Sequence, residues 1–165
     1  MNIIYTGPFR FPTGDAAAAR VLNNGKLLRF LGNNVTYISW GGFSHEADKQ
    51  DDSGYFYYNG FRFIITNDID VKKGPIKRIF NFLFSGKKAL SHIKSIIQNA
   101  DLIIAYNPPV YFTLKLNNLC KNYNLPLVSD ITEWYAPNEF PGGIFAPPAW
   151  LNEINMRIAQ KKVKN

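Results

Sequence analysis

The sequence is poor in the residues that staple or metallate small proteins: one cysteine, two histidines and two methionines in 165 residues. A lone Cys120 excludes an intrachain disulfide and fits a reducing compartment, so a cytoplasmic location is expected. His45, His92 and Cys120 stand far apart without ligand spacing, and no metal is expected. Long hydrophobic runs are also missing. The greasiest stretch, "IFNFLF" at 79–84, falls far short of the roughly 20 residues that cross a bilayer. No basic and apolar leader precedes "NIIYTG", which gives no reason to expect a signal peptide. Internal repeats and low-complexity tracts are absent too.

Two fingerprints are missing where they would matter. The first apolar run is followed by "PFRFPTGDAAAAR", with neither Gly-x-Gly-x-x-Gly nor Gly-Lys-Ser/Thr. The run at 35–39 ends in Ser39-Trp40 rather than an acid. Nicotinamide-dependent oxidoreductases and Walker-type nucleotide hydrolases are disfavoured on that ground. Acidic residues are absent from 71–100, where Lys72, Lys73, Lys77, Arg78, Lys87, Lys88 and Lys94 supply seven positive charges. The rest of the chain is near balance, so the net charge of +7 lives in one segment.

What is present reads as α/β. "NIIYTG" and "VTYIS" are short buried strands, and Asp15–Leu31 between them has helical spacing. Asp15 is its N-cap, Gly32-Asn33 its left-handed stop, and Val21, Leu22, Leu27, Leu28 and Leu31 its expected apolar face. Asn59-Gly60 between "YFYY" and "FRFIIT" predicts a hairpin, because both residues accept positive φ. A basic helix broken near Ser85-Gly86 follows. Next come a strand at 101–106, a helix begun by "NPP" and reaching Tyr123, a strand at 125–130, and a last helix over 150–165. The expected fold is a Rossmann-like three-layer α/β domain, with a mostly parallel sheet plus a β-hairpin, over residues 1–165. Ligands of such sheets sit beyond the carboxyl ends of the strands. That directs attention to Gly7–Asp15, Trp40–Gly54, Asn107–Pro109 and Asp130–Tyr135.

Each of these loops admits two readings. Gly14 stands directly before a helix N-terminus, whose free amides and dipole favour an anion; an ordinary strand-to-helix turn looks the same. Asn107 either caps a helix or offers its amide to a ligand. "SDITEWY" sets Asp130 and Glu133 beside Trp134 and Tyr135, the parts of a carbohydrate site, in which a carboxylate also accepts a proton from an attacking hydroxyl. The alternative is a capping Asp, a surface Glu and a core Trp. The basic segment, with Ile76, Ile79, Phe80, Phe82, Leu83 and Phe84 among its cations, is either an interfacial helix on an anionic membrane or a core helix with a solvated basic side. No nucleic-acid motif accompanies the charge, so no nucleic-acid partner is expected.

In order and spacing, "GPFRFPTGDAAAARV", "LLRFLGNNVTYIS", "DLIIAYNPP" and "PLVSDITEWY" resemble the N-terminal half of family 4 glycosyltransferases, enzymes with two Rossmann-like domains. The resemblance implies the acceptor-side domain of a retaining enzyme that moves a sugar from a nucleotide sugar to a glycan or lipid-linked acceptor in envelope polysaccharide synthesis. It implies no cofactor beyond that donor. Gly14 and Asp15 would then meet the donor diphosphate. Arg10, Asn107, Trp134 and Tyr135 would line the acceptor side, and Glu133 with Asp130 would form the reaction centre. It further implies a separate C-terminal domain holding most of the donor, and peripheral attachment to the inner face of the cytoplasmic membrane through Lys72, Lys73, Lys77, Arg78, Lys87 and Lys88. The histidine that relatives often carry near the reaction centre has no counterpart here. A non-catalytic module that docks on a membrane or a partner is the competing expectation.

Overall fold

The computed structural model describes residues 1–42, 51–66, 84–132, 136–139, 143–145 and 147–164. Their sheet has six strands: β1 (Asn2–Gly7), β2 (Asn34–Ser39), β3 (Phe56–Tyr58), β4 (Phe61–Ile65), β5 (Leu102–Tyr106) and β6 (Leu127–Asp130). The order across the sheet is β3-β4-β2-β1-β5-β6. Every pairing is parallel except β3 with β4, the hairpin predicted around Asn59 (φ 48°) and Gly60 (φ 75°). This is the mostly parallel α/β architecture expected.

The helices α1 (Ala16–Phe30), α2 (Lys87–Ile96), α3 (Val110–Asn122) and α4 (Pro147–Ile154) complete the layers. Strand alternation sends Ile3, Tyr5, Val35, Tyr37, Phe61 and Phe63 to one face, where Val21 and Leu22 of α1 meet them. Ile4, Ile38, Ile103 and Ala105 face the other way, against Ala89 and Ile93 of α2 and Phe112, Leu116 and Cys120 of α3. Cys120 is a buried free thiol, and burial pushes its pKa up to about 12, as suits the inert core position expected.

Two local expectations are revised. The buried face of α1 is Ala18, Val21, Leu22 and Gly25, whereas Leu27 and Leu31 are 63% and 72% exposed. The last helix starts earlier than expected, at Pro147, and loosens through a wide π turn (Asn155–Ala159) into a 3₁₀ turn (Gln160–Lys164). Asn155 anchors it, donating its side-chain amide to Pro108 O at 2.8 Å. The break at Gly86 is as expected: its φ of 86° is left-handed and α2 begins at the next residue. The helical stretch expected before it falls on residues 71–83, which lie outside the described residues.

Candidate functional site at the strand tips

The chain runs from β1 outward through β2 to β4, then returns to place β5 on the other side of β1. The order reverses between β1 and β5, and in such sheets ligands sit beyond the carboxyl ends of the strands at the reversal. Because β1, β5 and β6 are parallel, the segments after Gly7, Tyr106 and Asp130 share that edge. The segments carrying Gly14, Asn107 and Asp130 therefore leave the sheet at the same edge.

The loop after β1 differs from its expected role. Its bulk turns inward: Phe9 and Phe11 are both 0% exposed, edge-on or tilted against Tyr5, Tyr37, Phe63 and Tyr106. In-out-in alternation then leaves Arg10 outside. Its side chain lies over Gly14, where an added Cβ would stand 3.4 Å from Arg10 Cδ, and its Nε approaches Gly42 in the loop after β2. Arg10 forms no ion pair among the described residues. Gly14 has φ 126°, a conformation that L side chains rarely adopt.

Asp15 is the N-cap, its Oδ1 accepting the Ala18 N–H at 2.7 Å. The expected phosphate contact meets a carboxylate already seated on the helix terminus, and like charge opposes an anion there. Asn107 corrects its expected capping role: the residue ahead of α3 is Pro109, with no side-chain cap bond. Asn107 instead bonds sideways, donating to Thr132 Oγ1 at 2.7 Å and accepting the Thr132 N–H at 3.0 Å. Its φ of 38° is left-handed, which asparagine tolerates better than most residues and which often marks working sites.

Asp130 sits in a network the sequence did not reveal. The Tyr5 hydroxyl donates to Oδ2, Arg20 Nη2 donates to Oδ1 at 2.7 Å, and Asn24 Nδ2 donates to the Tyr5 oxygen at 3.1 Å. Burial first, then the bond to Asp130, pushes the Tyr5 pKa upward, so the phenol stays protonated and donates. Arg20 and Asn24 are four apart on α1, a same-face spacing that could have flagged them. Asp130 thus ties the tip of β6 to β1 and α1, with both oxygens engaged. Glu133, Trp134 and Tyr135 lie outside the described residues.

A further signal comes from unsatisfied polar atoms. Among the described residues, Thr6 Oγ1, Ser39 Oγ, Trp40 Nε1, Ser129 Oγ and Gln160 Oε1 are buried without a hydrogen-bond partner. The first four belong to the carboxyl ends of β1, β2 and β6 or the residue just beyond. Buried polar groups are nearly always paired, so their concentration at one edge marks the region where the fold sacrifices satisfaction. Among the described residues, no three His, Cys, Asp or Glu side chains gather to hold a metal.

Of the expected membrane residues, Lys72, Lys73, Lys77 and Arg78 lie outside the described residues. Lys87 and Lys88 are exposed in the first turn of α2, whose apolar side is buried against the sheet. No described helix is long and apolar enough to cross a membrane.

No family model and no curated protein matches this chain. Solved structures do. The C-terminal domain of a hydrogenase from Pyrococcus furiosus, solved as residues 78–226, aligns with TM-score 0.52 at 14% identity, covering 78% of this chain and 90% of that one. A second structure of it, residues 83–215, gives 0.51 at 14%, covering 78% and 89%. At that identity the likeness concerns the fold alone.

Proposed function

We propose that this chain is the acceptor-side lobe of a retaining glycosyltransferase that uses a nucleotide sugar. The observation that carries the reading is the meeting, beyond one edge of a parallel sheet, of the segments that carry the family resemblance. Arg10 with Gly14, Asn107 with Thr132, and Asp130 share that edge. In this reading Arg10 supplies the positive charge facing the donor diphosphate, and Gly14, with no Cβ, leaves room for the Arg10 side chain to lie over the loop. Asp15 acts as a cap. Asp130 is a positioning residue that fixes the start of the 130–135 loop, leaving Glu133 as the proton acceptor. The groups that stabilise the departing diphosphate belong to a companion domain, so the lobe alone has little or no transferase activity.

Attachment to an anionic membrane surface belongs to the same proposal. Lys87 and Lys88 occupy the end of α2 where the helix dipole disfavours cations.

The test is a millimolar titration of the isotopically labelled 165-residue chain with uridine-, guanosine- and thymidine-diphosphate sugars, followed by amide resonances. Saturable shifts at Gly14–Ala18, Asn107 and Thr132, weakened in Arg10→Ala, support the reading. No shift at the strand tips with any of the three donors overturns it.

A further inference from the structure

A cavity opens at the opposite edge of the sheet. It occupies about 560 Å3 below the amino ends of β1, β2 and β4, within the range of roughly 300–1,000 Å3 typical of small-molecule sites. Asn2, Asn34 and Asn99 bring polar side chains to its wall, and among the described residues no Asp or Glu lines it. Two arginines do.

Both guanidinium groups are held rather than loose. Arg29, in the last turn of α1, stacks 3.9 Å over the Phe61 ring and donates from Nη1 to Asn59 O at 2.7 Å. Arg62 stacks 4.2 Å over Tyr55, whose hydroxyl meets His92 Nε2 at 2.7 Å and whose backbone pairs with Asp51. Phe61 and Arg62 are consecutive on β4, so the two cations flank the cavity from opposite faces of the sheet. Neither has a carboxylate within ion-pair distance among the described residues. An arginine carries five N–H donors in a planar fork, and stacking fixes the plane while leaving the edge donors free.

The nearby acids are already engaged. Asp101 accepts the Asn2 N–H at 2.6 Å, and Asp51 accepts from Ser53 N–H, Tyr55 N–H and the Tyr57 hydroxyl. The carbonyls ending α1 are met by Leu31, Gly32 and Asn33 N–H groups and by the Asn33 side chain. The cavity wall therefore carries two anchored positive charges and, among the described residues, no carboxylate of its own, Asp51 acting on Arg62 from beyond ion-pair distance.

We infer that the amino-edge cavity binds a small oxyanion-bearing molecule, its phosphate or carboxylate taken by Arg29 and Arg62 and its polar body by the asparagines. The site is separate from the strand tips and stands whether or not the proposed function does. Its test is titration of the labelled 165-residue chain with inorganic phosphate, and in a parallel arm with citrate, at constant ionic strength. The readouts are the Gly60 and Asn34 amides and the two arginine Nε–H signals. Saturable shifts confined to these groups are expected, and the tighter arm distinguishes phosphate from carboxylate recognition. Arg29→Gln and Arg62→Gln each weaken the tighter arm about tenfold, the worth of one charge-assisted hydrogen bond. Arg29→Lys, which keeps the charge and loses the fork, weakens it too. The spectrum itself reports whether each variant folds, and Arg62→Gln carries the test if Arg29→Gln does not. Unsaturable shifts in both arms, or wild-type affinity in Arg29→Lys together with Arg62→Gln, overturn the inference.

Discussion

Single side chains here do work that their type alone does not announce. Phe9 and Phe11 look like loop residues and behave as core, because a two-residue alternation around Arg10 feeds both rings into the aromatic cluster beneath α1. The same geometry makes Arg10 conspicuous only after folding. His92 is a second case. It sits half-buried beside Tyr55, and burial first, then the Arg62 charge, lowers its pKa below the ordinary 6.5. The unfolded chain takes up that proton before the folded one. This residue's contribution is therefore complete above about pH 6.5 and is lost as the pH falls from there toward the lower folded value. Thermal melts from pH 7.5 down to about 5, above the range in which Asp51 titrates, isolate it. Wild type loses more melting temperature over that interval than His92→Gln, which keeps a partner for the Tyr55 hydroxyl. Parallel losses in the two proteins would show that His92 does not couple to folding.

Elements were legible where the signal was local, and faces were not. Asn59-Gly60 fixed the hairpin, Asp15 and Gly32 bounded α1, and Gly86 started α2, because each is a short-range backbone preference. The buried stripe of α1 was misread, because hydropathy gives weight to Leu27 and Leu31 and none to Gly25. Yet Gly25 is buried where α1 meets Tyr37 of β2. A methyl added there would collide with the Tyr37 hydroxyl and stand 2.8 Å from ring carbon Cζ. Tyr37 cannot give way easily: it is fully buried, stacked on Tyr5 and tilted against Phe11, with its hydroxyl on Val21 O at 3.3 Å. Alanine would gain about 1 kcal/mol of helix propensity. Overpacking a rigid contact costs about 1–3 kcal/mol, and close approach to Tyr37 sets the upper end. Chemical denaturation of Gly25→Ala should therefore show net destabilisation of about 1–2 kcal/mol. Pairing it with Tyr37→Phe should recover part of the loss. A Gly25→Ala chain more stable than wild type would mean that the helix can lift off the sheet at little cost.

At the scale of the whole molecule, the described elements cover the two faces of the sheet unequally. α2 and α3 pack under one face out to Leu127, while the buried cluster beneath α1 takes in only Tyr106 from β5 and nothing from β6. Beyond it Ile104 is half-buried and Val128 on β6 is 48% exposed. A parallel strand normally needs both faces covered, and β6 is also short and, among the described residues, paired on one side only. What holds its tip is long-range: Asp130 reaches Tyr5 on β1 and Arg20 on α1. No sequence window contains both ends of that clamp, which is why the sequence offers Asp130 as a catalytic candidate or a cap and not as an anchor. Arg20 is half exposed, so solvent screens the ion pair, and the bond to the buried Tyr5 hydroxyl carries most of the effect. Asp130→Asn keeps the shape, removes the charge and weakens both bonds, at a cost of about 1–2 kcal/mol. If the clamp acts locally, native-state hydrogen exchange will show it in one place. Amides of β6 that bond to β5 will exchange roughly 5–30 times faster in the variant, the rate equivalent of that cost. Amides of β1, bonded on both sides and exchanging through global unfolding, will shift only by the change in overall stability. Equal acceleration of both strands would instead make Asp130 a contributor to the global fold, and unchanged rates in β6 would leave it without an anchoring role.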